Sequence, residues 1–196
     1  MKKSWLIIGI LIVVIIIIYS SFKGQYNTMV QLDEAVTTSW STVQTQYQRR
    51  ADLIPNLVNT VKGFATQEKT VLTGVVEARA KATSIQIDPS KLTEANIQQF
   101  QQAQSQVSSA LSRLLAVVEN YPELKSNQNF LELQAQLEGT ENGIAVARDR
   151  FNKSVQAYNT YIRQFPNNLL ASMFNFERRA QFQADDKAQA APNVQF

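Results

Sequence analysis

From Phe130 to Phe165 the chain reads FLELQAQLEGTENGIAVARDRFNKSVQAYNTYIRQF. Phe130, Leu133, Leu137, Ile144, Ala147, Phe151, Val155, Tyr158, Ile162 and Phe165 recur within it at intervals built from threes and fours. Such steps average 3.5 residues and lay one narrow apolar stripe along a helix, the period of helices packed at shallow angles in bundles. Three further stretches carry the same pattern. Met29, Leu32, Val36, Trp40, Val43 and Tyr47 form a first stripe, and Ile54, Leu57, Val61, Phe64, Leu72 and Val75 a second. Ile97, Phe100, Val107, Leu111, Leu114, Val118 and Tyr121 form a third, with Gln104 in its missing place. The remaining faces are Gln, Ser, Thr and Lys, so each helix is half wet. The fold class this predicts is all-α: an antiparallel up-and-down bundle of four long helices whose aromatics are core residues.

Helix breakers set the expected boundaries. Asp88-Pro89-Ser90 ends the second helix, and Thr93 or Ser90 caps the third. Pro122 stops the third helix, Ser126 or Asn127 opens the fourth, and Pro166-Asn167-Asn168 stops it. Pro55 allows two readings. With Asp52 as cap it starts a new helix, where its missing N–H is harmless; otherwise the first two stripes are one kinked helix of nearly 60 residues. A turn at Pro55 is the expectation, because it yields four helices with short connections. A short amphipathic piece from Leu169 to Phe182 is expected over one end, and residues 183–196 as a disordered tail.

Ahead of these stripes, residues 6–18 are Ile, Leu and Val apart from Gly9. The uncharged stretch Ser4–Phe22 spans roughly 28 Å as a helix, about one bilayer core, with Trp5 and Tyr19 at interfacial depth. A cleaved signal peptide would need small residues at alternate positions after the apolar core, and Tyr19-Ser20-Ser21-Phe22-Lys23-Gly24 lacks a good pair. A retained anchor, residues 1–23, is therefore expected before a body at 24–182. Lys2 and Lys3 before the span and Lys23 after it favour a body on the extracytoplasmic side.

Composition narrows function by exclusion. The chain of 196 residues has no Cys and no His, which removes disulfides, Cys or His metal ligands and His-dependent triads. No metal or other cofactor is expected. The formal charge of +3 comes from Lys2, Lys3 and Lys23; residues 24–196 balance at zero. A neutral body argues against nucleic acid as partner.

Polar groups at or beside core-facing positions are the anomalies. They are Glu68, Arg79, Gln104, Glu119, Glu141, Asn142, Arg148, Asn152 and Asn159. Buried charges persist when paired and hydrogen-bonded, so these residues read either as a register-fixing network or as a polar groove for a ligand or partner. Gly139-x-x-x-Gly143 would permit close helix approach beside Glu141 and Asn142.

Specific words run through the chain. They include Arg50-Ala51-Asp52-Leu53-Ile54-Pro55-Asn56-Leu57-Val58, Val61-Lys62-Gly63-Phe64, Ala78-Arg79-Ala80 and Glu119-Asn120-Tyr121-Pro122-Glu123-Leu124-Lys125. Later ones are Glu141-Asn142, Ala147-Arg148, Phe151-Asn152, Tyr158-Asn159 and Phe165-Pro166. Over about residues 1–182 the chain resembles the LemA family of bacterial membrane-anchored proteins. The resemblance implies one amino-terminal membrane helix, a helical bundle and a place in the bacterial cell membrane, and it brings no catalytic residues. Two functions remain open from the sequence. The first is a non-enzymatic scaffold or interaction module that docks an envelope partner or a second copy, the latter through Phe174 and Phe176. The alternative is a small-molecule or lipid-binding protein, possibly a hydrolase, with a cavity lined by Glu68, Glu119 and Glu141.

Overall fold

The computed structural model describes residues 2–65 and 67–183. Among the described residues there is no strand, and the elements are all helical. They are α1 (Lys2–Phe64), α2 (Lys69–Ser84), a 3₁₀ turn (Pro89–Lys91), α3 (Glu94–Val118), α4 (Pro122–Lys125), α5 (Gln128–Arg163) and α6 (Asn167–Met173). The tail expected at 183–196 falls, beyond Gln183, outside the described residues.

The first helix overturns the expected turn at Pro55, which lies inside α1. Proline at this position removes the hydrogen bond to the carbonyl of Ala51, four residues back. Arg79 on α2 replaces it, its Nε donating to the Ala51 oxygen at 2.7 Å. The seam also continues through Pro55 in phase. Val36, Trp40, Val43, Tyr47, Arg50, Ile54, Leu57 and Val61 alternate fours and threes without a slip, and all eight are buried. The helix ends instead at Phe64, with Ala65 still buried on the seam four residues after Val61, and α2 begins at Lys69. The second stripe is thus divided between α1 and α2.

Other boundaries follow side-chain caps. Asp88 Oδ1 accepts from the Ser90 backbone N–H at 2.9 Å and from its hydroxyl at 2.7 Å. Those bonds hold the Asp88 carboxyl below its ordinary value. Thr93 caps α3 by accepting from the Asn96 N–H, and Asn127 caps α5 by accepting from Phe130.

α1 packs against α5 and α2, and α2 packs against α3. α5 runs back along α1: the Trp40 and Phe151 rings lie 5.4 Å apart, and ten residues further along α1, Arg50 meets Glu141. At Gly143 an added Cβ would fall 2.5 Å from Oε1 of Gln46, the end of a flexible side chain on α1 that lies against the glycine. Gly139 has no such neighbour.

The interior divides into two apolar clusters. One gathers Met29 to Tyr47 of α1 with Ile97 and Phe100 and with Ile144 to Ile162 of α5; the other gathers Ile54 to Ala65 with α2, Ala103 to Val118 of α3, Leu124, Phe130 and Leu137. α2 and α3 are shorter than α1 and α5 and do not line the whole of the first cluster. A non-helical segment, residues 174–183, fills that place. Its Phe182 ring stacks on Trp40 at 5.9 Å and meets Phe151 edge-on at 5.4 Å.

The expected helix from Leu169 to Phe182 is therefore corrected. α6 ends at Met173, and Asn175 adopts a left-handed backbone (φ 57°) that turns the chain back along the body. Beyond it, backbone groups bond to side chains of neighbouring helices, which removes the need for a helix.

Outside the body, the large apolar side chains from Trp5 to Phe22 are 45–75% exposed along the first third of α1. This helix is long and apolar enough to cross a membrane.

Candidate functional site

Between the two apolar clusters lies a polar waist. At its centre is Arg50, 2% exposed and on the seam of α1. A buried guanidinium requires partners for its fork of donors. Its Nη1 donates to Glu141 Oε1 at 2.5 Å and to Ser108 Oγ at 2.9 Å. Its Nη2 donates to Gln104 Oε1 at 2.7 Å, and its cationic face lies 5.1 Å from the Tyr47 ring. α1, α3 and α5 are thereby joined at one level. Burial pushes the Tyr47 hydroxyl above its ordinary pKa, against the pull of Arg148 and Arg50. A cavity of about 340 Å³ opens beside the waist, with Arg50, Arg79, Gln48, Gln86, Gln104 and Thr83 among its lining residues.

A second polar assembly ties residues 176–183 to the body. Asn159 on α5 contacts the backbone of Arg179 twice: its Nδ2 donates to the carbonyl at 2.8 Å, and its Oδ1 accepts from the N–H at 3.0 Å. Asn152 does the same for Phe182, at 3.1 and 2.9 Å. The spacing has a geometric reason. Seven residues of helix advance about 10.5 Å, and three residues of extended chain cover about 10 Å. Asparagines one heptad apart therefore match backbone positions three apart.

Arg148 donates to the Gln183 carbonyl and lies over the Phe182 ring at 4.6 Å. Arg179 pairs with Asp33 on α1 at 2.9 Å and donates to the Ser90 carbonyl. The Tyr158 hydroxyl donates to the Glu177 carbonyl at 2.9 Å. Burial first, and then the Asp33 charge, push its pKa up to about 12.

The residues singled out from sequence thus fall into separate places. Glu141, with Gln104, belongs to the waist, and Arg79 holds the Ala51 carbonyl beside it. Arg148, Asn152 and Asn159 hold the strap formed by 176–183. Glu68 lies at the start of α2 and accepts from the Tyr121 hydroxyl at 3.0 Å; that bond is the first cause raising the Tyr121 pKa. Glu119 is exposed and pairs with Lys125, and Asn142 is exposed on α5. Glu68, Glu119 and Glu141 each have a different partner, and none lines the arginine cavity.

Two charged members of the α1 seam, Asp33 and Arg50, were not among those singled out. Their signal lay in the heptad phase: Arg50 stands three after Tyr47 and four before Ile54, and Asp33 three before Val36.

Comparison with known proteins reaches most of the chain. "Magnetosome protein MamQ 2" of Paramagnetospirillum magneticum is 26% identical over 197 residues, covering 91% of this chain and 71% of the relative. "Magnetosome protein MamQ" of Magnetospirillum gryphiswaldense is 24% identical over 88% of this chain and 70% of the relative. "Protein LemA" of Metamycoplasma hominis is 22% identical over 87% of this chain and 74% of the relative. The sequence model of the LemA family matches residues 39–196, the span that holds the waist, Arg79 and both asparagine clamps, and the chain belongs to the LemA family.

Proposed function

We propose that this protein is a non-enzymatic interaction module of the bacterial cell envelope, anchored by one membrane helix and carrying an antiparallel up-and-down four-helix body. The observation that carries the reading is the continuity of α1. One helix contains both the exposed apolar stretch and the seam of the core, with no linker between them. Sixty-three helical residues extend about 95 Å, so the anchor fixes the height and orientation of the body. The polar residues of the waist and strap are engaged with one another, which supports a structural role for them. The amide-rich outer faces are left as the docking surface, with an envelope protein or a second copy as partner. Lys2 and Lys3 ahead of the span support an extracytoplasmic body.

Purification of the full chain from membranes in mild detergent, after growth under several conditions, tests this reading. A partner recovered in fixed ratio, and lost when exposed side chains around Asn142 and Val146 on α5 are changed, is the expected result. Recovery of the chain alone as a monomer under every condition overturns it. Protease protection of the body in intact cells tests the sidedness.

The arginine-lined cavity supports a second reading, a site for a small anionic molecule or lipid headgroup. Native mass spectrometry of the detergent-extracted protein should then show a retained small molecule that Thr83→Phe, at the cavity lining, displaces. Identical spectra for the two proteins overturn it.

A further inference from the structure

Four large apolar side chains are bare at one end of the body. Phe165 is 81% exposed, Leu169 60%, Met173 65% and Phe174 50%. They belong to α6 and the residues flanking it. Leu170 and Ala171 of the same short helix are buried with Met29, Tyr158 and Ile162. α6 therefore has one side in the core and another that no other described residue covers.

This end is the one from which the apolar part of α1 leaves. The Phe174 ring lies 4.9 Å from Tyr26 and the Phe176 ring 5.7 Å from it. Tyr26 follows Phe22, the last residue of the uncharged stretch, by four residues, about 6 Å along the helix. The headgroup layer of one leaflet is about 5–8 Å thick. If Phe22 marks the edge of the hydrocarbon, the bare face stands at headgroup depth. The charges nearby suit such a surface: Lys23, Arg163 and Arg178 are basic, and Glu177 is the sole acid between residues 163 and 178. Aromatic and long apolar side chains flanked by cations favour the boundary between headgroups and acyl chains.

We propose that Phe165, Leu169, Met173 and Phe174 form a foot that inserts into the surface of the same bilayer α1 spans, with anionic headgroups against Lys23, Arg163 and Arg178. The body then meets the membrane at two points, which prevents it from swinging about α1. The proposal rests on the reading of α1 as a membrane span.

The chain has no cysteine, so single spin labels can be placed without background. Labels at Leu169→Cys and Met173→Cys are compared in the full chain with Ile12→Cys in the span and Val146→Cys on the far part of α5. The protein is reconstituted in vesicles of phosphatidylethanolamine and phosphatidylglycerol. Power-saturation EPR then measures access to oxygen, which enters lipid, and to a nickel chelate, which stays in water. The expected result is an oxygen-to-nickel ratio at 169 and 173 severalfold above that at 146 and below that at 12. Labels at 169 and 173 as wet as the one at 146, beside a lipid-exposed label at 12, overturn the foot and leave the span intact. A wet label at 12 overturns the span and the foot with it. Dipolar broadening at 169 or 173 with low access to both reagents means a second copy covers the face, and also overturns the proposal.

Discussion

Arg79 resolves a local conflict created by Pro55. A proline inside a helix strands one carbonyl, and an unsatisfied partly buried acceptor costs about 1–3 kcal/mol. Arg79→Met should therefore destabilise the protein by about 1–3 kcal/mol in helix melting followed by circular dichroism in detergent. Pro55→Ala restores an N–H aimed at the same carbonyl, so in that background the loss should shrink by at least about 0.5 kcal/mol. Equal losses in both backgrounds would show that Arg79 acts otherwise. Arg50 presents a different balance, because its own side chain is buried while Glu141 is 48% exposed. Solvent weakens the carboxylate's share, so Glu141→Gln should cost roughly 1 kcal/mol. Arg50→Ala should cost roughly 3 kcal/mol, since it removes the packed stem with the head and strands Gln104. The opposite ranking of melting temperatures would contradict the assigned burial.

At the scale of elements, the strap from Phe176 to Gln183 does for the half of the core nearer the apolar third of α1 what α2 does for the other half. It has no regular backbone ladder of its own, and asparagine amides from α5 take the place of one. Asn159→Ala removes two bonds to Arg179, a local loss of about 1–2 kcal/mol, so trypsin cleavage after Arg178 or Arg179 should speed up on the order of tenfold. Unchanged cleavage kinetics would mean that the Asn159 amide does not hold the strap. The strap also carries a pH dependence through Tyr158. Its folded pKa of about 12 lies above the ordinary tyrosine value near 10, so the fold favours the neutral hydroxyl. The associated stability is intact below pH 10 and is lost as pH rises from about 10 through 12. Tyr158→Phe should flatten the alkaline limb of the melting curve. Tyr47 and Tyr121, raised as well, leave a residual slope of the same sign.

For the whole molecule the decisive property is the stiffness of α1 between its exposed apolar third and the core. Residues 19–28 are helical throughout, with Gly24 within them, and the first fully buried seam residue is Met29. Spin labels at Ile12 and Val146, each changed to cysteine in the same chain, should give a single narrow distance distribution by pulsed EPR. Inserting three glycines after Lys23 should broaden it, because glycine runs behave as flexible coil. A broad distribution before the insertion would show that the apolar third of α1 and the body move independently. Held rigidly, the body would present the same faces of α2, α3 and α5 at a constant distance from the apolar third of α1.

The all-α class, the long apolar start of α1, the caps at Thr93 and Asn127 and most of the core were legible from spacing alone, because each depends on residues within a few turns of one another. Membership of the LemA family was legible in the same way, through words such as Arg50-Ala51-Asp52-Leu53-Ile54-Pro55. Three features were decided by tertiary structure. Pro55 stays inside a helix because a side chain 24 residues later supplies the lost hydrogen bond. Residues 176–183 are not helical because amides on another helix bind their backbone. Arg50 is a central charge because its seam position meets Gln104, Ser108 and Glu141 on two other helices. In all three a polar group is satisfied by a partner remote in sequence, and local periodicity carries no record of such partners.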